Sequence, residues 1–218
     1  MKKFSGVIFD CDGVIFPNRF KGVFGKVFSD FSISEDLKNK VTNSRKAAEI
    51  KRKTCIGKYT LKEELEIFDK MLGIPKGTLE KYLDEIDSKL EENKDVIKLS
   101  NKLRKLSIKT AILTDNTDKF NTFFVPKFHL DQHFDFLFNS WDLGMTKDGL
   151  EKIYDFVARK MKMEPAECIY VDDKEENVRI AEASGMTGII YKFPVDNFLE
   201  LENKIISLLN LNGIYEKS

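Results

Sequence analysis

The chain has few cysteines and no net charge, and each of these features argues against particular kinds of protein. Its three cysteines, Cys11, Cys55 and Cys168, are odd in number, widely spaced and without a metal-ligand pattern. They favour a reduced, cytoplasmic setting over a disulfide framework. Basic and acidic residues number 36 each, so no bulk electrostatic field favours binding to nucleic acid or to a membrane surface.

Long hydrophobic runs, repeats and low-complexity segments are also missing. No apolar run approaches the length of a membrane span. The opening Met-Lys-Lys followed by apolar residues is similar to a secretory signal, but Asp10 and Asp12 interrupt the apolar stretch that such a signal needs. With 42% hydrophobic and 33% charged residues over 218 positions, the composition is that of a globular protein with one full core and a smaller second unit.

Five short apolar runs, each followed at once by polar residues, predict the strands of a sheet. They are GVIF (6–9), TAIL (110–113), FDFLF (134–138), CIYV (168–171) and TGIIY (187–191). Helical periodicity follows the later runs, in stripes through Leu150, Ile153, Val157 and Met161, through 175–184 with Gly185 as the stop, and through Leu199, Ile205, Leu208 and Leu209. Strands alternating with helices predict an α/β fold, a doubly wound, Rossmann-like parallel sheet.

Residues 16–92 break this alternation and show helical stripes only, which predicts three or four helices inserted after the first strand. The predicted domains are therefore an α/β core of 1–15 and 93–218 and a helical cap of 16–92. Residues 19–58, which include Arg19, carry eleven basic against four acidic side chains, whereas residues 61–92 carry five against ten. The basic half either steers anionic substrates or is a solvated face balanced by the acidic half.

The chemistry-bearing residues lie at the predicted strand ends, where ligands bind in open parallel sheets. Asp10 and Asp12 are two apart, so in extended backbone they face the same side, and Gly13 permits a sharp turn. Two carboxylates so close repel each other, and a divalent cation would relieve that repulsion. A second acidic pair, Asp172 and Asp173, can complete the same oxygen-ligand site, whose donor type favours Mg²⁺.

Four motifs occur in a fixed order along the chain: Asp10-x-Asp12-Gly13-Val14, Thr114 at the end of a strand, Lys147 after a strand and loop, and Asp172-Asp173 with Asn177 following. In this set the chain resembles the haloacid dehalogenase superfamily, and within it the magnesium-dependent phosphatases with a helical cap after the first strand. The resemblance covers nearly the whole chain, although the cap matches only in position and helicity.

The resemblance implies a role for each motif. Asp10 would be the nucleophile that becomes an aspartyl phosphate, and Asp12 the general acid and then base, with its main-chain carbonyl on the metal. Thr114 and Asp115, through a hydroxyl and neighbouring amides, and Lys147, through its charge, would bind the phosphoryl group. Asp173 would ligate Mg²⁺ directly, and Asp172 would either ligate it too or hold a metal-bound water.

The implied function is a magnesium-dependent phosphomonoester hydrolase acting on a small phosphorylated metabolite, with no protein partner inferred. Two alternatives stay open at this point: a phosphotransferase or sugar-phosphate mutase of the same superfamily, and a non-catalytic binding or regulatory relative. The chain departs from the family pattern at two places. Lys147 is followed by Asp148 and Gly149 where a proline-containing stretch is usual, and Asp115 places an extra carboxylate beside the phosphate site.

Overall fold

The structure, a computed structural model, describes residues 4–150 and 152–211. In this part of the chain five strands form one parallel sheet in the order β3-β2-β1-β4-β5. The strands are β1 (Gly6–Phe9), β2 (Lys109–Thr114), β3 (Phe136–Asn139), β4 (Cys168–Asp172) and β5 (Thr187–Ile190). Helices flank the sheet, and the predicted α/β fold class is confirmed.

The first strand is central, which explains its unbroken apolar run. All four residues of β1 are buried, because β2 and β4 flank its edges and helices cover both faces. Since every strand runs in the same direction, the carboxyl ends of β1, β2 and β4 meet at one edge of the sheet. The polar residues that follow these three strands therefore lie close together.

Between β1 and the next core helix the chain forms five helices, whereas the apolar stripes predicted three or four. They are α1 (Arg19–Asp30), α2 (Glu35–Thr42), α3 (Arg45–Cys55), α4 (Leu61–Leu72) and α5 (Thr78–Ser88). The stripes missed α2 and α3, because α2 buries only Val41 and α3 buries little apolar surface. Their starts are set instead by side-chain caps, with Ser34 and Ser44 accepting hydrogen bonds from the first turns.

The five inserted helices have a hydrophobic cluster of their own, which includes Val27, Leu65, Phe68 and Leu83. Both chain connections of the insert leave the sheet at one place. The Asn93 main-chain N–H donates to the Ile15 carbonyl at 2.7 Å, and the Asn93 side-chain amide donates to the Val14 carbonyl at 3.3 Å. The outgoing and returning segments are thus hydrogen-bonded side by side.

The remaining helices are α6 (Lys94–Lys105), α7 (Val125–Phe128), α8 (Leu130–His133), α9 (Ser140–Leu143), α10 (Ile153–Lys160), α11 (Glu175–Ala183) and α12 (Phe198–Leu208), with a π-helical turn at Phe120–Phe124 and a 3₁₀ turn at Pro165–Glu167. Gly185 follows α11 with a φ of +101°, the left-handed conformation that ends helices. No helix in the described ranges has the length and apolarity that crossing a membrane requires.

Two residues that the apolar stripes predicted on buried helix faces are exposed instead. Leu150 precedes α10 and is 75% exposed, because the Asp148 carboxylate accepts the Leu150 N–H at 3.0 Å and Gly149 adopts a φ of +81°. This hydrogen bond and the Gly149 backbone conformation form a turn where the apolar pattern predicted a helix. Leu199 lies on α12 but faces outward and is 56% exposed.

Candidate active site

The ends of β1, β2 and β4 bring most of the predicted site residues together. Asp10 directly follows β1, and its N–H donates to the Val171 carbonyl of β4 at 2.8 Å. Asp172 is the last residue of β4 and Thr114 the last of β2, on either side of the central strand. All three side chains are almost fully buried. Carboxylates in such a setting need positive charge or hydrogen-bond donors close by.

Lys147 supplies positive charge to two of these carboxylates. Its ammonium lies 2.8 Å from Asp10 Oδ1 and 2.9 Å from Asp172 Oδ2, and its side chain is only 2% exposed. Asp10 Oδ1 also accepts the Cys11 N–H at 2.7 Å. Burial and then the Asp172 charge raise the pKa of Asp10 well above its usual value, although Lys147 opposes them. One ammonium thus serves two acids, and the site retains negative charge for a further cation.

Asp172 is held by hydrogen bonds on both oxygens. Oδ2 accepts from the Tyr170 hydroxyl, from the Asn177 amide at 2.9 Å and from Lys147, while Oδ1 accepts the Lys174 N–H at 2.8 Å. Burial acts to raise the pKa of Asp172, but Lys147, Tyr170 and the Lys174 amide together lower it to about 2. Asp172 is therefore an ionised and rigidly oriented group.

Asp173 has a buried oxygen without a partner. Within the described residues no hydrogen-bond donor reaches its Oδ1, and burial followed by the Asp172 charge raises the pKa of Asp173. Gly13 makes room for this carboxylate. A Cβ on Gly13 would lie 2.4 Å from Asp173 Cγ, and the φ of Gly13 is +94°. The backbone turn after β1 and the acidic loop after β4 therefore fit each other only with glycine here.

The three acids can share one cation. One ligand oxygen each from Asp10, Asp172 and Asp173 lies within 4.8 Å of the others, and the Asp173 oxygen is an orphaned buried acceptor. All-oxygen donors with this charge suit Mg²⁺, which takes few protein carboxylates. The residues present therefore fit a magnesium ion, with Asp173 as its freest ligand; Asp172 Oδ2 already accepts three hydrogen bonds, whereas its Oδ1 accepts one.

The Asp12 carboxylate lies outside this acid cluster and has partners of its own. Its Oδ1 is 3.2 Å from Arg19 Nε, and its Oδ2 accepts the Asn116 side-chain amide at 3.0 Å. The Asp12 side chain is 24% exposed, whereas Arg19 is 1% exposed. Asp12 is thus oriented by one donor from the inserted helices and by one from the loop after β2.

Asp115 contacts the lysine loop. Both of its carboxylate oxygens accept the Lys147 main-chain N–H, at 3.1 and 3.2 Å. Burial raises the pKa of Asp115, and Lys147 partly offsets this. The loop between Lys147 and α10 has no proline in its first residues, and the Asp115 contact fixes the point at which it starts. The extra carboxylate after Thr114 thus points at protein donors.

Three side chains that contact the predicted site residues were given no role in positioning them from the sequence: Arg19, Asn116 and Tyr170. Tyr170 belongs to an apolar strand run, so alternation along β4 was the only signal that it shares a side with Asp172. Asn116 follows Thr114 by two residues, and this position just after a strand end was its only signal in the sequence. Arg19 is one of eleven basic residues in 19–58, and the sequence indicated for all of them only substrate steering or a solvated face.

Comparison with known proteins gives a family for most of the chain. Residues 4–185 match the family model described as haloacid dehalogenase-like hydrolase. The bifunctional epoxide hydrolases 2 of Rattus norvegicus and Mus musculus are each 32% identical to this chain over 114 residues. That match covers 50% of this chain but only 20% of each relative, so the chain corresponds to a minor part of those proteins.

Solved structures share the fold over nearly the full length. The HAD family enzyme bt-2542 of Bacteroides thetaiotaomicron aligns with a TM-score of 0.70 and 18% identity, over 92% of this chain and 98% of that one. A structure of the same enzyme in complex with magnesium and inorganic phosphate aligns with a TM-score of 0.67, 18% identity and coverages of 91% and 98%. A predicted HAD-like family hydrolase from Porphyromonas gingivalis gives 0.67 and 16% identity, covering 93% and 98%.

Proposed function

This chain belongs to the haloacid dehalogenase-like hydrolase family, and we propose that it is a magnesium-dependent phosphomonoester hydrolase acting on a small phosphorylated metabolite. The observation that carries the proposal is the convergence of Asp10, Asp172 and Asp173, with one ligand oxygen of each within 4.8 Å of the others. The Lys147 ammonium contacts Asp10 and Asp172, and no described residue donates to the buried Oδ1 of Asp173. The magnesium and phosphate bound to a structural neighbour support the same chemistry.

Asp10 is the proposed nucleophile. Its hydrogen bonds are to Oδ1, which leaves Oδ2 free of donors from the described residues. In the first step an Asp10 oxygen forms a bond to phosphorus while the bond from phosphorus to the ester oxygen breaks, and Asp12 donates a proton to the departing oxygen. In the second step Asp12 removes a proton from water, which attacks phosphorus and releases phosphate and the Asp10 carboxylate.

The remaining residues hold the reacting group and its charge. Lys147 would balance the negative charge of the phosphoryl oxygens as well as that of Asp10. Thr114 and the main chain at Asp115 would donate hydrogen bonds to the phosphoryl oxygens. Mg²⁺, held by Asp10, Asp173 and the main-chain carbonyl of Asp12, would supply positive charge at the phosphoryl group. Asp172 orients this set through Lys147 and the neighbouring amides.

The inserted segment has a proposed role as well. We propose that residues 16–92 act as a cap on a core of residues 1–15 and 93–218. The insert contacts the core loops around the site: the Leu61 N–H donates to Asp118 at 3.1 Å, and Arg52 pairs with Asp148 at 3.0 Å. A cover of this kind would exclude bulk water from the aspartyl phosphate and strengthen the electrostatic interactions beneath it.

The test is phosphate release from 4-nitrophenyl phosphate and from a panel of phosphorylated sugars, nucleotides and amino acids. We expect turnover with Mg²⁺, none with a chelator, and recovery when Mg²⁺ is restored. Asp10→Asn should abolish turnover with an unchanged circular dichroism spectrum, and exposed Asp131→Asn is the matched control. Normal turnover by Asp10→Asn would disprove the nucleophile, and an isomerised sugar phosphate in place of free phosphate would indicate a mutase.

A further inference from the structure

Arg19 is a buried cation at the first residue of α1. Its side chain is 1% exposed, and the unpaired burial of such a charge would cost several kcal/mol. Two carboxylates pair with it: Asp12 Oδ1 at 3.2 Å from Nε, and Asp87 at 3.1 and 3.3 Å from Nη1. The guanidinium carbon also lies 4.2 Å from the centroid of the Phe124 ring and 5.6 Å from that of the Phe20 ring. The guanidinium thus donates hydrogen bonds through its edge and lies over an aromatic ring with its face. A lysine ammonium could not make both kinds of contact in this way.

The partners of Arg19 come from different parts of the fold. Asp12 belongs to the core segment after β1, whereas Asp87 lies in the last turn of α5, at the far end of the insert. Asp87 is itself fixed from the core, because Lys119 Nζ lies 2.8 Å from its Oδ2 and Lys127 Nζ donates to its carbonyl at 2.7 Å. Arg19 therefore links Asp12 of the core to Asp87 of the insert, and Asp87 is in turn fixed by contacts from the core.

Asp12 receives a second donor on its other oxygen, the Asn116 amide at 3.0 Å. A carboxylate has about four lone-pair sites, so two donors on two different oxygens fix the plane of the group and still leave acceptor positions open. A general acid must be held close to the proton it transfers, in the correct orientation. Arg19 and Asn116 together meet that requirement, each through a different oxygen of Asp12.

We propose that Arg19, anchored by Asp87, is a positioning residue that orients the Asp12 carboxyl toward the leaving oxygen. The inference rests on the proposed function, in which Asp12 transfers that proton. Because Arg19 acts through Asp12, its loss harms most the esters whose leaving group depends on protonation. An ester with a good leaving group needs little proton transfer and is affected less.

The experiment measures kcat/KM of the full chain with Mg²⁺ on aryl phosphates whose phenols differ in acidity, from 4-nitrophenyl to phenyl phosphate, and on an alkyl phosphate. The variants are Arg19→Gln and Asp87→Asn, the second of which leaves Asp12 and its direct partner in place. Arg104→Gln is the control, because Arg104 pairs with Asp135 at 2.9 Å on the core surface. Thermal unfolding reports the fold of each variant.

For Arg19→Gln we expect a loss on the order of 10²-fold on phenyl and alkyl phosphates and about tenfold or less on 4-nitrophenyl phosphate, since general acid–base catalysis contributes roughly 10²–10⁴-fold. Asp87→Asn should show the same leaving-group dependence with a smaller loss. In an Asp12→Ala background Arg19→Gln should cause little further loss, as expected for residues that act as a unit.

Two results would overturn the role of Arg19 alone: equal losses on every ester in both variants, or a full additional loss in the Asp12→Ala background. A wild-type protein that is inert toward all the esters with Mg²⁺ would instead overturn the proposed function, and the role of Arg19 with it. The two failures are thus distinguished by the activity of the wild-type protein.

Discussion

Lys147 and Asp172 form a buried ion pair, with 2.9 Å between Nζ and Oδ2 and side-chain exposures of 2% and 0%. The same ammonium lies 2.8 Å from Asp10. Lys147 is therefore the positive centre of the site before any substrate or metal binds, and its removal would leave two buried carboxylates without a cation.

Lys147→Met should destabilise the protein as well as inactivate it. Breaking a buried pair by removing one partner costs about 3–5 kcal/mol, and urea unfolding monitored by circular dichroism measures the change in the free energy of unfolding. Lys98→Met is the matched control, because Lys98 pairs with Asp95 at 70% and 53% exposure and should cost less than about 1 kcal/mol. Similar losses of unfolding free energy in the two variants would show that Lys147 is not the cation that stabilises the buried carboxylates.

Asp173→Asn should stabilise the metal-free protein but weaken its binding of Mg²⁺. Burial and the neighbouring Asp172 raise the pKa of Asp173, so without metal the ionised side chain is unfavourable and its neutral amide should raise the melting temperature. With Mg²⁺ the variant loses a charged ligand, and its affinity should fall about tenfold or more, equivalent to roughly 1.4 kcal/mol. Calorimetric titration measures the affinity, and an unchanged affinity would exclude Asp173 as a ligand.

Gly13→Ala should disrupt the acidic loop. The new Cβ would lie 2.4 Å from Asp173 Cγ, and the φ of +94° is unfavourable for alanine, so we expect a loss of about 1–3 kcal/mol or more in stability together with weaker Mg²⁺ binding. Gly25→Ala is the matched control. Gly25 lies inside α1 with open space around its Cβ position, so that substitution should stabilise by roughly 0.5–1 kcal/mol.

Glu64 on α4 should make stability depend on pH. Burial raises its pKa above the usual 4.5, although Thr54 and Lys51 oppose this, so the folded state binds the proton more tightly than the unfolded chain. The contribution of Glu64 is then fully present below pH 4.5 and is lost as the pH rises through the folded-state value. Glu64→Gln should therefore stabilise the protein by on the order of 1 kcal/mol at pH 8, and by less near pH 4.5.

The neighbouring glutamate provides the control for that experiment. Glu63 caps α4 by accepting the Thr60 N–H at 2.7 Å, and this backbone hydrogen bond lowers the pKa of Glu63. Glu63→Gln should therefore destabilise the protein at pH 8, the opposite sign to Glu64→Gln. The same sign in both variants would show that burial does not control Glu64.

The sequence allowed prediction of the sheet and the location of its acidic residues because both depend on local order. An apolar run such as Val7–Phe9 that ends in Asp10 leaves few positions for the carboxylate other than a strand end. The repetition of this pattern before Asp172, on a strand that pairs with β1, brings the two acids together. Because the strands are parallel, their carboxyl ends lie at one edge of the sheet, and the residues that follow them lie there too.

The sequence did not allow prediction of contacts between side chains that are far apart along the chain. The buried position of Arg19 depends on Asp87, in the last turn of the fifth inserted helix, and periodicity cannot distinguish such an arginine from a solvated one. The sequence places Asp115 as an extra charge beside the phosphate site, but it does not show that this carboxylate accepts the Lys147 main-chain N–H. The number of inserted helices was underestimated because capping serines, not apolar stripes, mark α2 and α3.

The hydrogen bond from Asn93 to the Ile15 carbonyl has a consequence for how such a chain can change over time. Because the two connections of the insert run side by side, a stretch of chain can be lengthened, shortened or exchanged there without pulling any strand out of register. The Asp10 carboxylate stays at the end of β1 whatever segment is inserted between the two connections. Molecules with this layout are free to alter what they accept while keeping the chemistry that they perform.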